Sequence, residues 1–300
     1  MNEKIKLYLK GLLMGTCDLI PGISGGTIAF ITGIYDKLIK SISNISLKLF
    51  SDGIKYLTNK TPETEKEIRK DLKEADVYFL LTLGLGIATA ILIGSKGIKY
   101  LWINYYTFTI AFFAGLIIAS SKIIFDDIKK HSKQNIFFGL IGFVFGASLA
   151  FLIPVNAAPS HLYVFIGGFF AVSAMFLPGI SGSFILLIMG LWDFMINVFT
   201  DIPGKIDYFI ASASGALIGM FFISRVINFL FTKDRCKTLY FLLGLVLGSL
   251  LVPFKRIYEN TVEWNLQTIL LLLGLFFLGI IAVLIMHKLQ KKKTPKTLKS

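Results

Sequence analysis

The chain has 300 residues, of which 55% are hydrophobic and only 16% are charged. Soluble domains carry about 25% charged residues, so this composition excludes an ordinary water-soluble protein and predicts an integral membrane protein. The formal net charge of +13 does not indicate a nucleic-acid partner, because the Lys and Arg residues lie in short segments between and beyond the apolar runs, as membrane topology requires.

The first apolar segment is interrupted by a Pro-Gly-Ile-Ser-Gly motif at 21–25. The arms on either side, 11–20 and 24–33, are each about 15 Å long as helix, or half of a ~30 Å hydrocarbon layer. Proline with adjacent glycine breaks a helix, so we predict a re-entrant helical hairpin over 11–34 with the motif at its tip. A kinked continuous span is the alternative.

A polar stretch of mixed charge at 50–76 separates this hairpin from the next apolar run, and we predict a solvated cytoplasmic insertion there. Six further apolar runs have the length of full transmembrane helices. They are 77–95, 105–124, 135–154, 207–224, 236–254 and 266–287.

The motif returns at 178–182, and nine of the 16 positions from 21 to 36 are identical to those 157 residues later. The spans repeat at a second offset of 129, which pairs Gly86 with Gly215 and Gly115 with Gly244. We therefore predict a first repeat over 1–155, a second over 160–287 with its hairpin at 167–192, and a basic cytoplasmic tail at 288–300. Three spans per half is an odd number, so the halves are predicted to be inverted, as in many transporters.

The basic residues are distributed unequally across this topology. One side holds 26 of the 31 Lys and Arg residues, and only Lys96, Lys99, Lys205, Lys255 and Arg256 fall on the other. Cytoplasmic loops carry the excess of Lys and Arg, so both termini are predicted to be cytoplasmic.

The two hairpin tips are the predicted binding site. Each tip opens a half-helix whose first N–H groups attract anions, and serine and threonine hydroxyls add further donors. The candidate phosphate-binding residues are Ser24, Gly25, Gly26 and Thr27 at the first tip, and Ser181, Gly182 and Ser183 at the second. The alternative is that these small residues only let the hairpins pack together.

A pair of cations is related by the repeat, because Lys96 in the first half corresponds to Arg225 in the second. Each is predicted to meet a phosphate near one face of the membrane, unless it only snorkels to the interface. Among the acids, Asp36 and Asp193 are also repeat-related, and they either bind a coupling ion or cap a helix. The unpaired Asp18 is a candidate proton or cation site. We expect no cofactor and no metal, apart from coupling to H+ or Na+.

The Gly-x-Ser-Gly pattern at the tips also matches intramembrane serine proteases. A serine nucleophile needs a base within hydrogen-bond reach, and the three histidines, His131, His161 and His287, are not predicted at the depth of either tip serine. We therefore expect a transporter and not an enzyme, with no catalytic residues. The two cysteines, at 17 and 236, are expected to be reduced thiols.

The segments 11–38 and 177–192, with their two motifs, resemble the bacterial polyprenyl-phosphate transporter family of PopT-like proteins. Cys17 and Trp192 depart from the residues usual in that family. The resemblance implies a flippase in the plasma membrane that returns undecaprenyl phosphate, the lipid carrier of cell-wall precursors, from the outer to the inner leaflet. The expected partners are this lipid and the bilayer, with no nucleic acid; the oligomeric state is not predicted. An ion-coupled exchanger of a small soluble anion is the alternative function.

Overall fold

A computed structural model describes residues 3–19, 24–152 and 157–291, and the regular structure in these residues is entirely helical. The all-α class predicted from the sequence is confirmed. The helices are α1 (Glu3–Asp18), α2 (Gly25–Ile31), α3 (Tyr35–Ser43), α4 (Leu47–Thr58), α5 (Pro62–Glu74), α6 (Val77–Asn104), α7 (Tyr106–Asp127), α8 (Lys133–Ser148), α9 (His161–Met175), α10 (Gly182–Ile188), α11 (Trp192–Thr200), α12 (Ile206–Ser249), α13 (Leu251–Asn260) and α14 (Leu266–Lys291).

Five helical stretches within the described residues are long and apolar enough to cross a membrane. They are Val77–Gly94, Tyr106–Asp127, Lys133–Phe151, Pro203–Asn260 and Leu266–Lys288. These stretches confirm a multi-pass membrane protein. The fourth stretch contains two of the six predicted spans, 207–224 and 236–254.

The predicted connection between those two spans, 225–237, contains a break: α12 consists of two helices joined at a kink at Asp234, where φ is −157° and ψ is 92°. The residues on either side of Asp234 are helical, so the connection is shorter than the sequence predicts, and Thr238 Oγ1 donates to the Leu230 carbonyl oxygen over 3.0 Å across the kink. Helix α6 continues to Asn104, beyond the predicted end of its span at 95. Lys96 lies inside this helix, two residues after the apolar stretch Val77–Gly94, and its side chain is outside the described part of the structure.

Two pairs of helices correspond to the predicted hairpins. Helix α1 packs against α2, and α9 packs against α10. The first motif's turn at 21–23 lies outside the described residues. The helices on either side of the two breaks, α2 with α3 and α10 with α11, have the same bounds at an offset of 157.

Each short arm ends at a glycine in the left-handed region, Gly33 with φ 65° and Gly190 with φ 66°. Their N–H groups donate to Phe30 O and Leu187 O over 2.9 and 3.0 Å, which is the hydrogen-bond pattern of a glycine-terminated helix. The chain then turns sharply, by 117° between α10 and α11.

Close helix packing also occurs twice. A Cβ atom at Gly115 of α7 would lie 1.9 Å from the carbonyl oxygen of Phe276 in α14, and one at Gly244 of α12 would lie 1.8 Å from that of Gly139 in α8. Small residues allow such close backbone contact between helices. The second span of each half therefore packs against the third span of the other half, which interlocks the two halves.

The predicted insertion at 50–76 folds as α4 and α5, which pack against each other. Thr61 and Thr64 form a capping box at the start of α5, beside Pro62. Lys48 of α4 lies 3.6 Å from Asp52 and 3.7 Å from Asp71 of α5, and the negative charges of Asp71 and Asp52 raise the pKa of the Lys48 ammonium group. One ion pair, between Lys48 and Asp71, thus connects the two helices.

Candidate functional site

The two hairpins meet through side chains of the first and backbone of the second. The Ser24 hydroxyl lies 3.1 Å from the carbonyl oxygens of both Met175 and Leu177, either of which accepts its proton. Thr27 Oγ1 accepts a hydrogen bond from Gly179 N over 3.0 Å. Ser24 and Thr27 are fully buried. Ser24 and Thr27, which the sequence assigns to the candidate phosphate site, therefore also take part in the packing of the two hairpins.

The first tip does not offer the unpaired donors that we predicted. Gly25 N donates to the Asp18 carboxylate over 2.7 Å, and Gly26 N donates to Ser24 Oγ over 3.1 Å. Thr27 N bonds to the backbone oxygen of Ser24. Asp18 occupies this place because a helix N-terminus attracts a negative charge, so the chain itself supplies the anion.

The second tip lacks such a carboxylate, since Met175 stands at the position equivalent to Asp18. Ser181 begins α10 without a side-chain cap, and its hydroxyl lies 2.7 Å from that of Ser183. Among the described residues, the N–H groups of Gly182, Ser183 and Phe184 have no acceptor. The two tips therefore differ in which donors are available to a ligand.

Glycine at the tips makes room for protein atoms. A Cβ atom at Gly25 would lie 2.5 Å from the Asp18 carboxylate, and one at Gly182 would lie 2.5 Å from the carbonyl oxygen of Ala171. We predicted that these glycines admit a ligand, whereas in this structure their free side is filled by neighbouring residues. Packing of the hairpins therefore accounts for the absence of a side chain at both positions, whereas the N–H groups of these glycines are a separate matter.

Arg225 lies beside a groove on the surface of α12. Its Nη2 donates to the Ile45 carbonyl oxygen over 2.9 Å, and its guanidinium lies 5.8 Å from the centre of the Phe221 ring. The groove has a volume of about 620 Å³ and is almost entirely apolar. It is lined by Ile45, Ser46, Ile218, Phe221, Phe222, Arg225, Val226 and Phe229.

The repeat-related acids differ in their surroundings. Asp36 forms an ion pair of 2.7 Å with Arg235, which also pairs with Asp127 over 2.7 Å. These three residues line a cavity of about 280 Å³. Asp193 is exposed in the first turn of α11.

Sequence reasoning missed Arg235 and Asp127. The offset of 129 relates Arg235 to Tyr106 and Asp127 to Arg256, which are both polar residues. No group of three or more metal-ligating side chains occurs in the part of the chain that the structure describes.

These features define a multi-pass, all-α membrane protein with two helical hairpins in contact and a cation beside an apolar groove. Residues 14–270 match the model of the family described as "VCA0040-like: Undecaprenyl phosphate translocase-like". The chain belongs to this family, as the motifs predicted.

Two curated relatives cover most of the chain. A protein of Vibrio cholerae named polyprenyl-phosphate transporter is 33% identical over 264 residues, which is 88% of this chain and 81% of the relative. A protein of Staphylococcus aureus with the same name is 30% identical over 287 residues, or 89% of this chain and 92% of the relative. No solved structure matches the chain significantly.

Proposed function

We propose that this protein is a flippase that carries undecaprenyl phosphate from the outer to the inner leaflet of the bacterial plasma membrane, so that the carrier is reused in cell-wall synthesis. The observation that carries this proposal is the apolar groove with Arg225 at its edge. The names of the two relatives support the same class of substrate.

The groove suits an amphiphile better than a soluble anion. Ile218, Phe222 and Phe229 are each more than half exposed, so the groove faces the lipid of a surrounding bilayer. An isoprenoid chain gains about 25 cal/mol for each Å² of apolar surface that it buries, while arginine binds a phosphate through two parallel hydrogen bonds. An exchanger of a small soluble anion, the alternative function, has no use for an apolar groove.

The head group is proposed to cross between the hairpins. Ser181, Gly182 and Ser183 supply open donors in the present arrangement, and Ser24, Gly25, Gly26 and Thr27 supply theirs once Asp18 withdraws. Inverted halves, with re-entrant hairpins that meet near mid-membrane, expose such a site alternately to each side when they rock. The excess of basic residues on one side supports cytoplasmic termini.

Asp18 is the proposed coupling residue. Its carboxylate holds the N–H group of Gly25, and a second anion at that place meets the repulsion of a like charge. A proton or sodium ion that neutralises Asp18 weakens this contact and favours binding of the phosphate. Asp36 and Asp193 remain alternative coupling sites, and Lys96 remains a proposed phosphate contact near the other face.

The test is reconstitution of the purified protein in liposomes, with the movement of polyprenyl phosphate between leaflets measured under proton and sodium gradients. Arg225→Gln is expected to slow transport ten- to a hundredfold, since a charge-assisted hydrogen bond contributes about 1.5–3 kcal/mol, and Arg225→Lys is expected to restore it partly. Arg69→Gln, on the exposed surface of α5, is the matched control. Soluble-phosphate exchange without lipid transport by the wild-type protein would favour the alternative function.

A further inference from the structure

Two arginines lie at opposite ends of the membrane-spanning helix α7. Arg256 Nη1 donates to the hydroxyl of Tyr106, the first residue of α7, over 3.3 Å. Arg235 Nη2 donates to the carboxylate of Asp127, the last residue of α7, over 2.7 Å. A helix of 22 residues is about 33 Å long, which matches the hydrocarbon thickness. One arginine therefore lies near each face of the membrane.

The internal repeat relates these two contacts. Tyr106 corresponds to Arg235 at the offset of 129, and Asp127 corresponds to Arg256 at the same offset. The two contacts are therefore equivalent in the repeat. In one of them the second-half residue at 235 is the arginine, and in the other it is the second-half residue at 256. The two contacts occupy equivalent places, but the partner of the arginine is a neutral tyrosine at one end of α7 and a carboxylate at the other.

The counter-charges of the two arginines differ. Arg235 is held between two carboxylates, those of Asp127 and Asp36. Arg256 has no carboxylate within ion-pair distance among the described residues. Its other contact is the face of the Phe184 ring, whose centre lies 5.2 Å from Cζ. The positive charge at this end of α7 is therefore left uncompensated.

Ionisable residues that face the interior of a membrane protein mark substrate pathways, and Arg256 is half-buried with its guanidinium over the Phe184 ring. The guanidinium carries five N–H donors, and the Tyr106 hydroxyl accepts only one of them. Two parallel N–H groups therefore remain available to bind a phosphate. Phe184 places the guanidinium against α10, within one helical turn of Ser181 and Ser183 at the second tip. The neighbouring Lys255 is already engaged, by the Ala150 carbonyl oxygen at 2.9 Å.

We propose that Arg256 is a phosphate-binding residue for the lipid carrier, acting at the membrane face opposite to Arg235. This inference rests on the proposed function and adds a specific head-group contact to it. In the proposed topology this face is the outer one, where the carrier is collected. Arg235 cannot play the equivalent part in the present arrangement, because its two carboxylates occupy the guanidinium.

The test is binding of a short-chain polyprenyl phosphate to the full chain in detergent, with the corresponding polyprenol as a phosphate-free probe. Arg256→Gln is expected to weaken binding of the phosphate ten- to a hundredfold and to leave binding of the alcohol unchanged, while Arg256→Lys gives an intermediate loss. Lys205→Gln is the matched control, because the Lys205 ammonium group also lies over a phenylalanine ring, that of Phe194 at 5.6 Å, but this ring belongs to α11 and not to α10.

Thermal unfolding of each variant separates loss of binding from loss of the fold. If Arg256→Gln does not fold, Arg256→Lys carries the test, and this variant is still expected to bind the phosphate several-fold more weakly than wild type. Wild-type affinity in a folded Arg256→Lys or Arg256→Gln protein would overturn the role of Arg256 while leaving the proposed function intact. Failure of the wild-type protein to bind the phosphate would overturn both.

Discussion

The hydroxyl of Tyr35 donates a hydrogen bond of 2.8 Å to the carbonyl oxygen of Phe176, 141 residues further along the chain. Tyr35 is buried, and its ring stacks on that of Phe30 with 3.8 Å between the centres. The bond ties the segment after the first hairpin to the end of α9 in the second. Any movement of one hairpin past the other must therefore break or carry this contact.

Tyr35→Phe tests whether the contact between the hairpins matters for transport. Loss of the hydroxyl leaves a buried carbonyl oxygen unpaired and is expected to lower stability by about 1–3 kcal/mol. The control is Tyr163→Phe, which removes a bond of the same length, to Met189 O within the second hairpin. We expect thermal unfolding to shift similarly in both variants and the transport rate in liposomes to change only in Tyr35→Phe. Equal transport rates would contradict a role in hairpin movement.

Asp18→Asn keeps an acceptor for Gly25 N but removes the charge. We expect the variant to fold with a stability within about 1 kcal/mol of wild type, and its transport to lose dependence on an imposed proton or sodium gradient. Asp18→Ala leaves the N–H group unpaired and is expected to cost about 1–3 kcal/mol. Asp201→Asn is the control, since Asp201 accepts from Gly204 N on an exposed turn. A gradient response that persists in Asp18→Asn would exclude this residue as the coupling site.

Gly115→Ala and Gly244→Ala test the interlocking of the two halves. Each added Cβ atom would lie within 2 Å of a backbone oxygen on the facing helix, and such overpacking costs about 1–3 kcal/mol or more. Gly274→Ala, in the same α14 that faces Gly115, has open space around it and is expected to be neutral or stabilising by up to about 1 kcal/mol. Thermal unfolding in detergent measures all three. Equal melting temperatures in the three variants would contradict this close contact between the helices.

Asp36→Asn combined with Asp127→Asn makes the surroundings of Arg235 resemble those of Arg256. The ion pairs are about half exposed, so their loss is expected to cost no more than about 1 kcal/mol each. With its carboxylates removed, Arg235 is expected to raise the affinity for polyprenyl phosphate several-fold in a binding titration. Glu65→Gln, which frees Arg69 on the exposed surface of α5, is the control. An unchanged affinity in the double variant would show that Arg235 is not accessible to the head group.

The topology is tested by thiol labelling in intact cells. After replacement of Cys17 and Cys236, a cysteine introduced at Thr64 in α5 is expected to resist an impermeant reagent, and one at Val262, which is 96% exposed, is expected to react. The reverse pattern of labelling would place the termini outside the cell.

Much of the helical architecture was predictable because local sequence determines it. Hydrophobic runs of about twenty residues become long helices, and the repeated glycines at 33 and 190 end the short arms in the same way. The connection expected at 225–237 is shorter than predicted, a kink at Asp234 between two helices, because the basic residues on either side of it extend the helices. Polar residues near a membrane face are compatible with continuous helix.

The sequence by itself determined the class of the protein, its internal repeat and its family, since composition, periodicity and the two motifs are local properties. Only the tertiary structure decided how the candidate site is arranged. The sequence treats the two tips as equivalent, but Asp18 occupies the donors of the first tip alone. Arg235 and Arg256 each lie among other basic residues in the sequence, beside Lys233 and Lys237 and beside Lys255, and their different partners come from helices brought together by folding. Charge compensation depends on contacts between residues more than a hundred positions apart, and the linear order of residues does not reveal it.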